Sequence, residues 1–313
     1  MTKIFSRVLS MWKKPSYLKL AKSGELKARA EAAVKMLQDC KLCPHLCGIN
    51  RAQGEKGFCR AGEFAVVESV NPHFGEEEVL VGRHGSGTIF FGHCNLKCVF
   101  CQNYKLSQKD HGFGISLEEL ASAMLQLQDL GCHNINFVSP THFAAQIIQA
   151  VAIAAEKGLH IPLVYNTGGY DTLETLELLD GIIDIYMPDI KFIDEEAAVK
   201  YLRVKGYPKA VKTAIKEMHR QVGDLKLDED GLAYRGLLVR HLVMPGGLAG
   251  TEEIMCFLAE EISPYTYVNI MRQYYPAHLA ENYPELNRRI TRQEYAAAVR
   301  AAEDAGLVKL EIH

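Results

Sequence analysis

Three of the nine cysteines fall in CNLKCVFC, where Cys94, Cys98 and Cys101 follow a CxxxCxxC spacing. A cube-shaped 4Fe-4S cluster is ordinarily held by four cysteines. Three in one short loop therefore leave one iron with an open position, the feature that separates a reactive metal site from a closed structural one. The alternative for the same thiolates is a zinc site completed by His93 or by a distant residue.

Four more cysteines, Cys40, Cys43 and Cys47 in CKLCPHLC and then Cys59, form a second set whose spacing suits either zinc or an auxiliary iron-sulfur cluster. His45 lies among them, but four thiolates already complete a tetrahedral shell, so it reads as a surface histidine. Cys132 and Cys256 read as inert buried thiols. His111, His133, His142 and His278 show no ligand spacing and read as structural. Seven of the nine cysteines lie between Cys40 and Cys101. At the N-terminus, MTKIFSRVLSMWKKPS has Arg7 splitting its apolar residues and offers no secretory h-region. Metal binding in a cytoplasmic protein is accordingly expected over disulfides.

Composition narrows the functions further. With 313 residues and 48% hydrophobic content the chain can bury a large core. A formal charge of −3 provides no positive field to draw in nucleic acid or an anionic membrane. No apolar run approaches the roughly eighteen residues needed to span a bilayer.

From Thr88 onward, strand-length apolar runs alternate with amphipathic segments of helical period, which predicts parallel strands joined by crossover helices. The strands are TIFF, NINFVS, IPLVYN, GIIDIYMPD, GLLVRHLVMP and YTYVNIM. Ser116 and Glu119 form a capping-box pattern ahead of the stripe Leu117, Leu120, Met124 and Leu127. Ala144, Ile147, Ile148, Val151 and Ala155 make a second stripe. Six β/α units fall short of the eight that close a full barrel, so the expected fold is α/β, an incomplete barrel open along one side, with its site at the C-terminal ends of the strands. Residues 1–60 read as a helical segment (GELKARAEAAVKMLQ) and a cysteine-rich metal-binding region. Residues 61–86 read as a β-hairpin bridge made of FAVVESV and EEVLVG, and 87–313 as the barrel with a C-terminal helix, TRQEYAAAVRAAEDAG. VKGYPKAVKTAIKEMHRQVGDLKLDEDG is a helical insertion before the fifth strand.

CNLKCVFC, with aromatic Phe100 before its last cysteine, resembles the radical SAM superfamily. CKLCPHLCGINRAQGEKGFC, GSGTIFFGHCNLKCVFCQN, HNINFVSPTH, VYNTGGY, DIYMPDIKF and VRHLVMPGG look like the branch related to pyruvate formate-lyase activating enzyme. The resemblance implies a partial (β/α)6 barrel of radical SAM type with a cysteine-rich N-terminal extension. It implies that Cys94, Cys98 and Cys101 hold a 4Fe-4S cluster whose open iron chelates S-adenosylmethionine (SAM), and that a reductant such as flavodoxin or ferredoxin drives cleavage to methionine and a 5′-deoxyadenosyl radical.

The same resemblance places Phe100 near the adenine, and Asp189 and Lys191 at the SAM ribose and carboxylate, with an intrabarrel salt bridge as the alternative reading. Arg240 falls near the methionine carboxylate, or else pairs with a neighbouring acid. Val138, Ser139, Pro140 and Thr141 stand where the superfamily usually has Gly-Gly-Glu, which leaves backbone carbonyls and the Thr141 hydroxyl as substitutes for the amino-group contact. Asn166 and Thr167, with Met187 and Asp189, match a monovalent-cation site in which an aspartate stands at the position of Asn166. His241, next to Arg240 on its strand, is expected to pack outward. Tyr274 and Tyr275 read as either core packing or barrel rim.

Two function classes follow. One is a radical SAM oxidoreductase that abstracts hydrogen from a protein, peptide or small molecule, most simply a glycyl radical activase. The other is a non-catalytic electron-transfer or zinc module that docks onto a partner. Six β/α units favour the first, because a bare electron carrier does not need them.

Overall fold

The computed structural model describes residues 14–109 and 111–312, so most of MTKIFSRVLSMWKKPS lies outside the described residues. Ten strands run in chain order: β1 Ala65–His73, β2 Ser86–Phe91, β3 Phe113–Ile115, β4 Ile135–Val138, β5 Leu163–Thr167, β6 Ile185–Pro188, β7 Lys226–Leu227, β8 Ala233–Leu242, β9 Tyr267–Met271 and β10 Lys309–Ile312. The sheet order is β10-β9-β8-β6-β5-β4-β2-β1-β3, with β7 paired to β8. From β2 to β10 these neighbours are parallel, while β1 is antiparallel to both β2 and β3. All six predicted strands are present as β2, β4, β5, β6, β8 and β9. The sheet does not close.

Side-chain alternation divides the strands into two faces. Ile89, Phe91, Ile135, Phe137, Leu163, Tyr165, Tyr186, Leu237 and Ile270 join the large core beneath the crossover helices. On the other face Val164, Ile185, Met187 and Leu238 form a smaller apolar plug with Leu80 and Leu225. Register continues this inner face toward the strand ends: Phe90 pairs with Val138, Val138 with Asn166, Asn166 with Met187, and Asp189 bridges to Arg240. The residues that line the mouth are thus the last inward positions of successive strands.

The helices obey their sequence signals. Leu117–Asp129 starts at Ser116 with both bonds of the capping box made, and Leu120, Met124 and Leu127 are buried. Ala144–Glu156 buries Ala144, Ile147, Ile148 and Val151, with Ala154 completing the stripe and Ala155 at its margin. The insertion forms one long helix, Tyr207–Val222, and the chain's last helix is Arg292–Asp304. No helix among the described residues is long and apolar enough to cross a membrane.

One expectation is corrected. EEVLVG is not a strand: Glu78–Val81 is a single helical turn, and the antiparallel partner of β1 is β2 itself. Both edges of β2 are already taken by β1 and β4, so EEVLVG has no free edge to join, and Leu80 plugs the inner core instead. The segment 61–86 is therefore one strand and a turn rather than a hairpin. Residues 14–60 share the main core: Tyr17, Leu26, Ala33 and Leu42 are buried in the cluster that contains the sheet. Helices Tyr17–Ser23 and Glu25–Met36 pack against Ala144–Glu156. They are anchored by Tyr17 Oη donating to Ile161 O and Ser16 N to Asp184 Oδ1, both at the N-terminal ends of strands, away from the mouth.

Candidate functional site

The loop that follows β2 carries Cys94, Cys98 and Cys101, and main-chain hydrogen bonds fix its course. Lys97 N donates to Leu202 O and Val99 N to Tyr201 O, at the end of helix Glu195–Leu202, while Leu279 N donates to Val99 O. Phe100 is buried, edge-on to Phe192 at 5.9 Å and tilted against Tyr274 at 6.2 Å. Leu96 N donates to Cys94 Sγ at 3.4 Å, and Cys101 Sγ lies 3.2 Å from Ser107 Oγ. Burial pushes the Cys94 thiol up to about 11 and raises Cys98 further. Loading a metal here must release protons, which is the ordinary coupling for thiolate ligands.

All three cysteines open on one cleft of about 380 Å³, which also exposes Ser139, Asn166, Asp189, Lys191 and Arg240. That volume falls within the range of about 300–1,000 Å³ usual for small-molecule sites. Among the described residues no three His, Cys, Asp or Glu side chains are gathered closely enough to hold one metal ion. The three thiols line this one cleft together, and His93 lines it with them.

A charge network spans the floor of the cleft. Lys191 Nζ lies 2.6 Å from Asp189 Oδ2, and Arg240 Nε donates to Asp189 Oδ1 at 2.8 Å. Arg240 Nη2 donates to Asn166 Oδ1 at 2.8 Å, and its Nη1 stands 3.7 Å from Glu76 and 3.9 Å from Glu77. Burial would raise Asp189, but the Arg240 and Lys191 charges outweigh it and hold the carboxyl below its ordinary range. Glu76 goes the other way. Burial, aided by repulsion from Glu77 and Asp189 and only partly offset by Arg240, lifts it to about 7. Glu77 accepts from Asn269 Nδ2 at 3.0 Å, while Glu77 Oε2 and Asn269 Oδ1 are buried acceptors without a hydrogen-bond partner.

The intrabarrel salt bridge between Asp189 and Lys191 thus forms, and it forms in the cleft. Ser139 reaches the cleft in a left-handed conformation, φ 58°, with its N–H donating to Asn166 O. Thr141 does not reach it. Its hydroxyl is 2.9 Å from Thr167 Oγ1, which donates to the buried Asp171, so Thr141 is withdrawn from the amino-group contact expected of it. The oxygen that Asn166 would offer a monovalent cation already accepts from a guanidinium, a fixed positive charge.

His241 packs outward as expected, bonded to Ile190 O and Thr251 Oγ1. Tyr274 is core, its hydroxyl donating to Leu286 O, and Tyr275 is half-exposed beside Arg289. His45 is not a surface residue: it stacks on Phe58 at 3.9 Å and bonds Asn95 O. Glu76 and Glu77 escape a sequence reading because an acidic run beside a turn looks solvated. The usable signal is Arg240 itself, a charge inside the apolar run GLLVRHLVMP that requires an acidic partner.

The family model described as "Radical SAM superfamily" matches residues 88–229. "Uncharacterized protein MJ0674" of Methanocaldococcus jannaschii is 34% identical over 300 residues, covering 93% of this chain and 82% of that protein. The chain belongs to one family with that protein, and its residues 88–229 form a radical SAM superfamily domain. Among solved structures, Streptococcus suis SuiB bound to precursor peptide SuiA aligns with a TM-score of 0.48 and 13% identity over 70% of this chain; the chain spans 46% of that one. TYW1 with a lysine-pyruvate adduct bound aligns with a TM-score of 0.41 and 9% identity, covering 69% of this chain and 73% of the other.

Proposed function

We propose that this chain is a hydrogen-abstracting radical SAM enzyme acting on a protein or peptide, in its simplest form a glycyl radical activase similar to pyruvate formate-lyase activating enzyme. The observation that carries the reading is the shared cleft: three thiols of a CxxxCxxC loop face Asp189, Lys191 and Arg240 across the C-terminal ends of parallel strands. Cys94, Cys98 and Cys101 would hold the 4Fe-4S cluster. When bound, cluster and SAM supply one-electron cleavage of the sulfonium to methionine and a 5′-deoxyadenosyl radical, the electron coming from a low-potential donor of the flavodoxin or ferredoxin kind.

The protein's own groups orient and enclose. Lys191 presents an ammonium to a carboxylate, and Asp189 presents acceptors to ribose hydroxyls. Arg240 holds Asp189 ionised and in place. Phe100 walls the cleft beside the cysteine loop and limits water there. A sheet that does not close leaves one side for a substrate larger than a metabolite, which favours a protein or peptide over a small molecule.

The test is anaerobic. Protein reconstituted with iron and sulfide, then given dithionite and SAM, should form 5′-deoxyadenosine, while Cys98→Ala should form none. Wild-type protein that carries a reduced cluster and yields no 5′-deoxyadenosine would contradict the proposal. For the activase form, a candidate glycyl radical partner should acquire a glycine-centred EPR signal only when SAM is present.

A further inference from the structure

Strand β6 ends at Pro188, so Asp189 and Lys191 stand on a short tip of chain beyond it. Asp189 N donates to Thr167 O at 2.8 Å and Ile190 N to Arg240 O at 2.9 Å, which ties the tip to the strands on either side. Three further main-chain groups converge on one side-chain atom. Lys191 N donates to Tyr207 Oη at 3.1 Å, and that hydroxyl faces Gly168 O at 3.0 Å and Asp189 O at 3.1 Å, its single proton shared between the two carbonyls.

Tyr207 is fully buried and opens the helix Tyr207–Val222, with Gly206 before it at φ 69°, in the left-handed region that glycine enters without strain. Its ring stacks on that of Tyr170 at 6.1 Å, which restrains the direction of the hydroxyl. Burial raises its pKa well above the usual phenol range, so the proton it donates stays on it. The same stretch of chain also holds the cysteine loop: Tyr201 O and Leu202 O accept from Val99 N and Lys97 N at 2.8 and 3.0 Å, on either side of Cys98. The segment from Tyr201 to Tyr207 thus grips the cysteine loop at one end and the tip with Asp189 and Lys191 at the other. The two meet closely at Gly168, where a Cβ would lie 2.8 Å from Leu96 Cδ1 and 3.9 Å from Lys191 Cε. Without the Tyr207 hydroxyl a buried N–H and two carbonyls lose a partner, and the tip beyond the strand is the part that can move to find others.

We propose that Tyr207 is a positioning residue for the SAM site: its hydroxyl fixes the backbone from which Asp189 and Lys191 reach into the cleft, in register with the cysteine loop. The ligand rests on the proposed function, whereas the pinning of the tip rests on the three hydrogen bonds.

The experiment compares reconstituted wild-type protein with Tyr207→Phe, which keeps the ring and removes the hydroxyl, and with Tyr186→Phe as control. Tyr186 is also fully buried, and its hydroxyl donates to Gln221 Oε1 at 2.6 Å near the far end of the same helix, so the control removes a comparable bond away from the cleft. Tyr207→Phe should bind SAM about tenfold more weakly by equilibrium dialysis. Its Lys191 amide should exchange hydrogen at least about tenfold faster, with iron content unchanged. Tyr186→Phe should match wild type in SAM affinity and in exchange at Lys191. Unchanged SAM affinity or unchanged Lys191 exchange in Tyr207→Phe, or equal losses in both variants, would overturn the positioning role. If wild type itself binds no SAM, the proposed function fails and exchange at Lys191 alone decides whether Tyr207 positions the tip. Should Tyr207→Phe not fold, wild-type exchange decides: the Lys191 amide should be protected as strongly as those of β6, and the rate of an exposed amide would overturn the proposal.

Discussion

Replacing Arg240 by Leu removes the guanidinium that faces Asp189, Glu76, Glu77 and Asn166 together. All the charged groups involved are mostly buried, with Arg240 18% exposed and the carboxylates 14% or less, so solvent compensates little. Removing one partner of a buried pair costs about 3–5 kcal/mol. Lys191 remains 2.6 Å from Asp189 and keeps that carboxylate paired, which places the expected loss near the lower end at pH 8. The loss must also depend on pH. Glu76, lifted to about 7 even with Arg240 present, is mostly protonated at pH 5.5 and then has no charge for Arg240 to compensate. The destabilisation should therefore shrink to roughly half, leaving chiefly the Asp189 share. Matched heating scans of reconstituted wild-type and Arg240→Leu protein at the two pH values read this as a midpoint drop of about 6–12 °C at pH 8, at 2–4 °C per kcal/mol, and clearly less at pH 5.5. An equal drop at both pH values, or a drop under about 2 °C at pH 8, would refute the electrostatic reading of the cleft floor.

Other consequences follow from the same geometry. Glu76 binds its proton more tightly in the folded chain than at its ordinary value of 4.5, so its contribution lowers stability as pH rises from 4.5 through about 7. Glu76→Gln, which imitates the protonated form, should be up to about 3 kcal/mol more stable than wild type at pH 8 and indistinguishable near pH 4.5. A Gln variant less stable at pH 8 would reverse that sign. Lys191→Ala should weaken SAM binding at least about tenfold, the loss of one charge-assisted contact, with iron content unchanged; equal SAM affinity by equilibrium dialysis would remove Lys191 from the site. Ser116→Ala breaks a complete capping box and should cost about 1 kcal/mol in unfolding, without touching iron content or SAM binding.

The sheet was legible because its six parallel strands are near-continuous apolar runs, as expected for strands covered on both faces. The resemblance aimed Asp189 and Arg240 inward, and alternation along the strand then turned His241 outward. EEVLVG was misread because strand propensity is local, while the availability of a sheet edge is not. Thr141 failed for a related reason: the backbone turns after Ser139, and the hydroxyl finds Thr167 and Asp171 instead of the cleft. Glu76 and Glu77 carry no periodic signature; only the folded chain brings them to Arg240, residues far apart in sequence.

The central claim is that Cys94, Cys98 and Cys101 leave one iron open for SAM. EPR of the reduced, reconstituted chain with and without SAM tests it most directly. The account predicts that SAM shifts the g-values of a cluster signal that disappears in Cys98→Ala. A signal belonging to those three cysteines that saturating SAM leaves unmoved would contradict it.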